Sequence, residues 1–185
     1  MPIVPRPWSS DEEDFDDYDA FVPEHLPDPG PFLDGHAVLT GGDHAAFHRL
    51  TRDRFEARTV YDATFGYNLA RLSLDARHPD AGYRYAVDAD DSGVLRAEFT
   101  PTTEFCPQSD TLATASFRAW NADDVGSPHE FDLVRVRVAP MHEASERING
   151  LLAELETAHR EGDDVTGGTA DAPSTTAADD RAMPF

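Results

Sequence analysis

VLRAEFTPTTEFCPQSDTLATASFRAW, residues 94–120, reads as a strand, a loop and a helix, and the rest of the chain is arranged to present its loop. From Val94 to Thr100 the set Leu95, Ala97 and Phe99 alternates with Val94, Arg96 and Glu98, the period of a strand with two unlike faces. Downstream, Leu112, Ala113, Ser116, Phe117 and Trp120 recur at helical spacing. The loop between them, EFTPTTEFCPQ (98–108), holds the only cysteine, Cys106, followed by Pro107 near the helix start, where proline is best tolerated. Negative charge is favoured at a helix N-terminus, so a thiol there is of the kind that binds metal or reacts. Thr100, Thr102 and Thr103 place three hydroxyls in the same loop, as hydrogen-bond donors for a thiolate or a bound sulfide. The plainer reading keeps Cys106 as a structural cysteine packed under the helix.

Working outward, Phe131 to Ala139 sets Val134, Val136 and Val138 against Leu133, Arg135 and Arg137, a strand with one buried face. A strand, a crossover helix and a second strand normally lie parallel, so both strands end at the same edge. Cys106 and His142 then share one rim, where open α/β sheets form their sites. Upstream, Tyr83–Asp88 meets Val94–Thr100 across DADDSG as a hairpin. A helix capped by Asp43 runs to about Ala57, with Phe47, Leu50 and Phe55 on its buried face. His44 and His48 sit one turn apart on it, without a nearby third ligand, and read as polar-face histidines. The turn 62–68 leads to a strand from Leu69 to about Ala76. The last helix, Met141 to about Arg160, carries Ala144, Ile148, Leu151, Leu152 and Leu155 on one stripe and ends at Gly162. The expected fold is α/β (α+β, mixed sheet): a small single domain, 43–161, with an N-terminal helix, three to four strands including one parallel βαβ unit, and a C-terminal helix, flanked by disordered ends.

Acidic residues outnumber basic ones 36 to 15, all of the basic residues are arginine, and the formal net charge is −21. Such a surface repels phosphates, which excludes nucleic acid and anionic membranes as partners. Acids spread along the whole chain, with no lysine, mark a halophilic-type protein in which concentrated salt screens self-repulsion; an acidic docking surface would cluster them instead. A single cysteine excludes an intramolecular disulfide and a self-contained multi-cysteine metal cage. Without a signal-like N-terminus or a membrane-length apolar run, the expectation is a soluble, cytoplasmic protein. Residues 1–42 carry Pro2, Pro5, Pro7, Pro23, Pro27, Pro29 and Pro31 around the acidic run DEEDFDDYD, too little apolar surface to offset ordering, so a disordered or extended leader is expected. Phe15, Tyr18 and Phe21 among its acids offer a short docking motif as the alternative. Residues 162–185 read as a low-complexity disordered tail.

The phrase EFTPTTEFCPQ, the valine-rich strand and PMHEASERING (140–150) together resemble the iron–sulfur cluster assembly domain family, that of the eukaryotic cytosolic iron–sulfur targeting subunit and of the bacterial Suf and phenylacetyl-CoA oxygenase maturation proteins. The match carries to Thr100, Pro101, Thr102, Cys106, Pro140, His142, Ser145, Glu146 and Asn149. Upstream, RTVYDATFGYNLARLSL (58–74) is similar through Asp62, Gly66, Asn68, Leu72 and Leu74, although the family's Asp-Pro-Glu is here Asp62, Ala63 and Thr64. The resemblance implies no enzymatic turnover. It implies an accessory factor in iron–sulfur cluster assembly, maturation or delivery, whose partners are client apo-proteins or other assembly factors. Cys106 is then the metal contact, with Thr100, Thr102, Thr103, His142 and Asp62 around a transient or dimer-bridging iron–sulfur cluster, since one thiolate cannot hold a cluster that needs four ligands. Two further readings stand beside it: a degenerate binding module of the same fold without a cofactor, which the missing glutamate favours, and a thiol enzyme with Cys106 as nucleophile and His142 as base.

Overall fold

Alternating apolar residues in three segments build the centre of a four-stranded mixed sheet in the computed structural model, which describes residues 15–17, 21–122 and 129–163. After a 3-10 turn at Pro23–His25, the elements are β1 (Ala37–Val38), α1 (Gly41–Ala57), β2 (Tyr61–Asp62), β3 (Tyr67–Asn68), a 3-10 helix (Leu69–Leu74), β4 (Gly82–Val87), β5 (Val94–Thr100), α2 (Ser109–Asn121), β6 (Leu133–Val138) and α3 (Ser145–Arg160). The sheet order is β1-β4-β5-β6; β4 pairs antiparallel with β1 and β5, and β5 pairs parallel with β6. The expected hairpin and the parallel βαβ unit are therefore both present, and β2 with β3 forms a separate two-stranded ribbon. The expectations for Tyr18, for the chain before Phe15 and for the tail beyond Asp163 lie outside the described residues.

One sheet face is apolar. Tyr83 and Tyr85 of β4 and Phe99 of β5 meet Phe47 and Phe55 of α1 and Trp120 of α2, with Trp120 edge-on to both tyrosines at 4.9 and 6.0 Å between ring centroids. Aromatic pairs at such geometry add to the stabilisation from area burial. The two helices are also joined by polar contacts: Thr51 Oγ1 accepts from Trp120 Nε1 at 3.1 Å, and buried Arg54 donates to the carbonyls of Ala119, Trp120 and Ala122. That cation closes the C-terminal end of α2, where carbonyls lack helical partners.

The opposite face is charged. The register sets Arg84, Glu98 and Arg137 in one row and Ala86, Arg96 and Arg135 in the next. Residues 21–36 lie across it as a strap, so this part of the expected disordered or extended leader is an extended arm packed on the sheet, and packed chain begins before residue 43. Leu33 is 1 % exposed and Leu26 5 %, and the carboxylate of Glu98 accepts from the backbone N–H groups of Gly30 (2.6 Å) and Phe32 (3.3 Å). Arg84 and Arg96 donate to the carbonyls of Pro27 and Phe32, and the Phe32 ring lies 4.7 Å from the Arg96 guanidinium. Pro23, Pro27, Pro29 and Pro31 remove N–H groups from the strap, and long-range side chains take up part of its remaining polar backbone. Further upstream Asp16 N donates to Leu74 O, and Phe15 packs against Tyr67 under Arg71.

Three local expectations change. Leu69–Leu74 is a 3-10 helix, not a strand, because the Asn68 side chain accepts from Ala70 N and turns the chain while Leu69, Leu72 and Leu74 remain buried. Asp43 lies inside the first turn of α1, whose N-cap is Thr40. The last helix begins at Ser145 instead of Met141, because the chain before it turns on His142, whose N–H donates to Ala139 O and whose Nδ1 and carbonyl accept from Ala144 N and Ser145 N. The free edge of β6 is covered by side chains: Asn121 bonds both the N–H and the C=O of Val134, and Asn149 does the same for Val138. Two asparagines thus stand in for a neighbouring strand and block edge pairing.

Candidate functional site: the rim at the ends of β5 and β6

Because β5 and β6 are parallel, the loops that follow them, 101–108 and 139–144, leave the same edge of the sheet. Two bonds tie them together, below a third that continues the ladder from β5. Ala139 N donates to Phe99 O at 2.8 Å, Glu143 N donates to Glu104 O at 2.9 Å, and His142 Nε2 lies 2.9 Å from the carbonyl oxygen of Cys106. The other ring nitrogen, Nδ1, accepts from Ala144 N at 3.1 Å. A neutral imidazole has one donor and one acceptor nitrogen, so this pair of bonds sets the tautomer with the proton on Nε2. His142 is 5 % exposed, and its role is to clamp two loops.

Cys106 is half-buried at this rim and reduced. Its N–H donates to Thr103 O and its C=O accepts from Ser109 N, so its backbone forms the turn that feeds α2. It stands three residues before the first residue of that helix, whose N-cap is Gln108. Among the described residues none is hydrogen-bonded to its thiol. Thr100 and Thr102 are half-buried and Thr103 is exposed, all within the same loop.

The ribbon turn joins the rim through one side chain. Gln108 Oε1 accepts from Ala63 N at 3.2 Å, and Gln108 Nε2 donates to Thr64 Oγ1 at 2.7 Å. Asp62, 4 % exposed, uses one carboxylate oxygen to accept from Thr64 N and Phe65 N, and its carbonyl accepts from Gly66 N. Gly66 takes φ +71°, the left-handed region that glycine enters without strain. Asp62 therefore shapes the turn, and its turn-forming oxygen points into its own loop.

The chemistry of the donor set decides what the rim can hold. Among the described residues no three His, Cys, Asp or Glu side chains are placed to hold a metal ion. The nitrogens of His142 are both engaged, so the residues of one chain offer a cluster a single thiolate and do not fit a resident iron–sulfur cluster. The same engagement leaves His142 without a nitrogen directed at the thiol.

Two residues that the sequence reading passed over define the outer surface. Phe105 is 62 % exposed and Met141 42 %, one on each of the clamped loops, and Tyr61 at 37 % lies on the adjoining ribbon. Of the large apolar side chains exposed among the described residues, only Leu151 lies elsewhere, on α3. The signal available in sequence was an aromatic residue set between Glu104 and Cys106 in a loop bounded by prolines, where no buried face exists to receive it. A groove of about 440 Å³ between α1, Val87 and Phe131 shares no residue with this rim. No helix among the described residues is long and apolar enough to cross a membrane.

Fold and rim together define a mixed α/β domain with a pair of clamped loops at one sheet edge. Residues 13–166 match the model of a family described as a domain of unknown function, DUF7998, and the chain belongs to that family. No curated protein and no solved structure is significantly similar to it.

Proposed function

We propose that this domain is a protein-binding module that carries no cofactor of its own and meets its partner with the rim formed by loops 101–108 and 139–144. The observation that carries the reading is the pairing of cross-bonded loops with exposed apolar surface: Phe105 and Met141 project from two loops that His142 and the Glu143–Glu104 bond join. Aromatic residues and methionine are enriched where proteins meet, and a pre-ordered surface loses less entropy on binding. The test is affinity capture of partners in molar salt by the wild-type chain and by Phe105→Asp/Met141→Asp. Both positions are exposed, so the fold survives the change. Loss of a discrete wild-type partner in the variant supports the reading, and an unchanged set of captured proteins refutes it.

A second reading keeps the domain as an accessory factor in iron–sulfur assembly or delivery, and one observation favours it: Cys106 lies half-buried on the same rim, between Phe105 and the clamp. Its remaining ligands come from a client apo-protein or from Cys106 of a second copy. Iron and acid-labile sulfide, measured after anaerobic purification of wild type and Cys106→Ala, separate the two. Equal contents in both favour the cofactor-free module, and a cysteine-dependent content favours the accessory factor.

A further inference from the structure

His44 and His48 were expected on the polar face of α1, yet they are 3 % and 2 % exposed and lie beneath the strap. The Phe21 ring of the strap is 4.9 Å from the His44 ring, Tyr85 of β4 is 5.4 Å away, and the two imidazoles are 6.2 Å apart. Val22 and Leu26 of the strap, Ser73 and Leu74 of the 3-10 helix and Asp16 close over them. His44 Nδ1 is buried without a hydrogen-bond partner. Burial of an imidazole disfavours its charged form, so the closed strap favours both rings neutral.

The charges around the pair confirm that direction. Arg84 of β4 and the neighbouring His48 oppose charge on His44, and Arg52 of α1 opposes charge on His48. Asp16, the carboxylate facing the void, is already joined to His25 at 2.6 Å. Tyr85 is neutral, and burial raises its hydroxyl further. Under the far end of the strap, burial pushes the Glu98 carboxyl upward while the N–H groups of Gly30 and Phe32 pull it back.

We propose that His44 and His48 are the trigger of an acid-released latch: when they take up protons the strap, residues 21–36, lifts from α1 and the sheet while the sheet stays folded. Uncovering the strap exposes Arg84, Arg96 and Glu98, the row of charges that the strap now covers. Burial first, then the neighbouring positive groups, lowers His44 from 6.5 to about 3 and His48 to about 4 in the closed state. Lifting the strap removes part of the burial while Arg52 and Arg84 stay in place, so in the open state both values rise toward the ordinary one and that state binds more protons. Below pH 6.5 each unit of acidification therefore favours the open state by up to about tenfold per histidine, until the closed-state value is reached.

The experiment is amide hydrogen exchange on the full chain in molar salt from pH 7 to pH 4, with rates corrected for the intrinsic pH dependence. Protection of residues 26–33 should fall below pH 6.5 while β5 and β6 remain protected, and His44→Phe/His48→Leu should retain at least tenfold more strap protection at pH 5. Glu98→Gln keeps both histidines but loosens the strap at every pH, so its strap protection should start lower and still fall below pH 6.5 as in wild type, which decides the matter if the double variant does not fold. Strap protection that persists to pH 4, loss from strap and sheet together, or acid opening abolished by Glu98→Gln overturns the latch.

Discussion

Leu33→Ala tests whether a proline-rich segment that composition marks as a leader is part of the fold. Leu33 is 1 % exposed, in a strap whose backbone just before it is held by Glu98 through Gly30 and Phe32. Truncating a buried leucine removes transfer free energy and leaves a cavity, a loss of about 2–5 kcal/mol. A solvated leader gives no more than about 0.5 kcal/mol for the same change. Urea is the suitable denaturant, because it leaves ionic strength fixed in a chain of net charge −21. With a slope of about 2 kcal/mol per molar, the midpoint should fall by about 1–2.5 M with the slope unchanged. A shift below about 0.3 M would show that the strap contributes nothing to folding, and the account of the charged face would fail with it.

Three more outcomes follow from the same geometry. Asn149→Ala strips both partners from Val138 at the free edge of β6 and should cost about 2–4 kcal/mol, read by urea melting, with a greater tendency to associate through that edge. His142→Ala removes the clamp between the loops, so Cys106 should label faster with an uncharged thiol reagent, and stability should fall by about 1–3 kcal/mol; an unchanged labelling rate would mean that the loops hold their register without it. The screening length falls from about 10 Å at 0.1 M to about 3 Å at 1 M, so the melting temperature should rise across that range, and a flat response would remove the case for salt adaptation.

How far the sequence could be read differs between elements for physical reasons. Residues 94–139 were legible because each strand alternates and the helix between them repeats at its own period, so local pattern and tertiary packing agree. From that order came the shared rim of Cys106 and His142, and the structure places them 2.9 Å apart, though through the carbonyl and not the thiol. The strap was not legible, because its stability comes from Glu98, which lies 68 residues from Gly30 in sequence. Arg96, Glu98, Arg135 and Arg137 on one face of β5 and β6 suit a solvated face equally well, so they gave no sign of the strap. His44 and His48 misled because histidines on a helix resemble its wet side until the strap is known to lie over them. The 3-10 helix misled because an apolar run such as Leu69, Ala70, Leu72 and Leu74 suits a strand and a short helix equally, and only the Asn68 cap decides.

The claim that the clamped rim is a contact surface is tested most directly by a photo-crosslinking residue placed at position 105 or, as a control of similar exposure on another face, at position 151. Phe105 and Leu151 are 62 % and 44 % exposed, so neither replacement disturbs the core. In cells, position 105 should yield discrete crosslinked species that position 151 does not, and those species should vanish when Met141→Asp is added. Identical products from both positions, or none from position 105, would contradict the account.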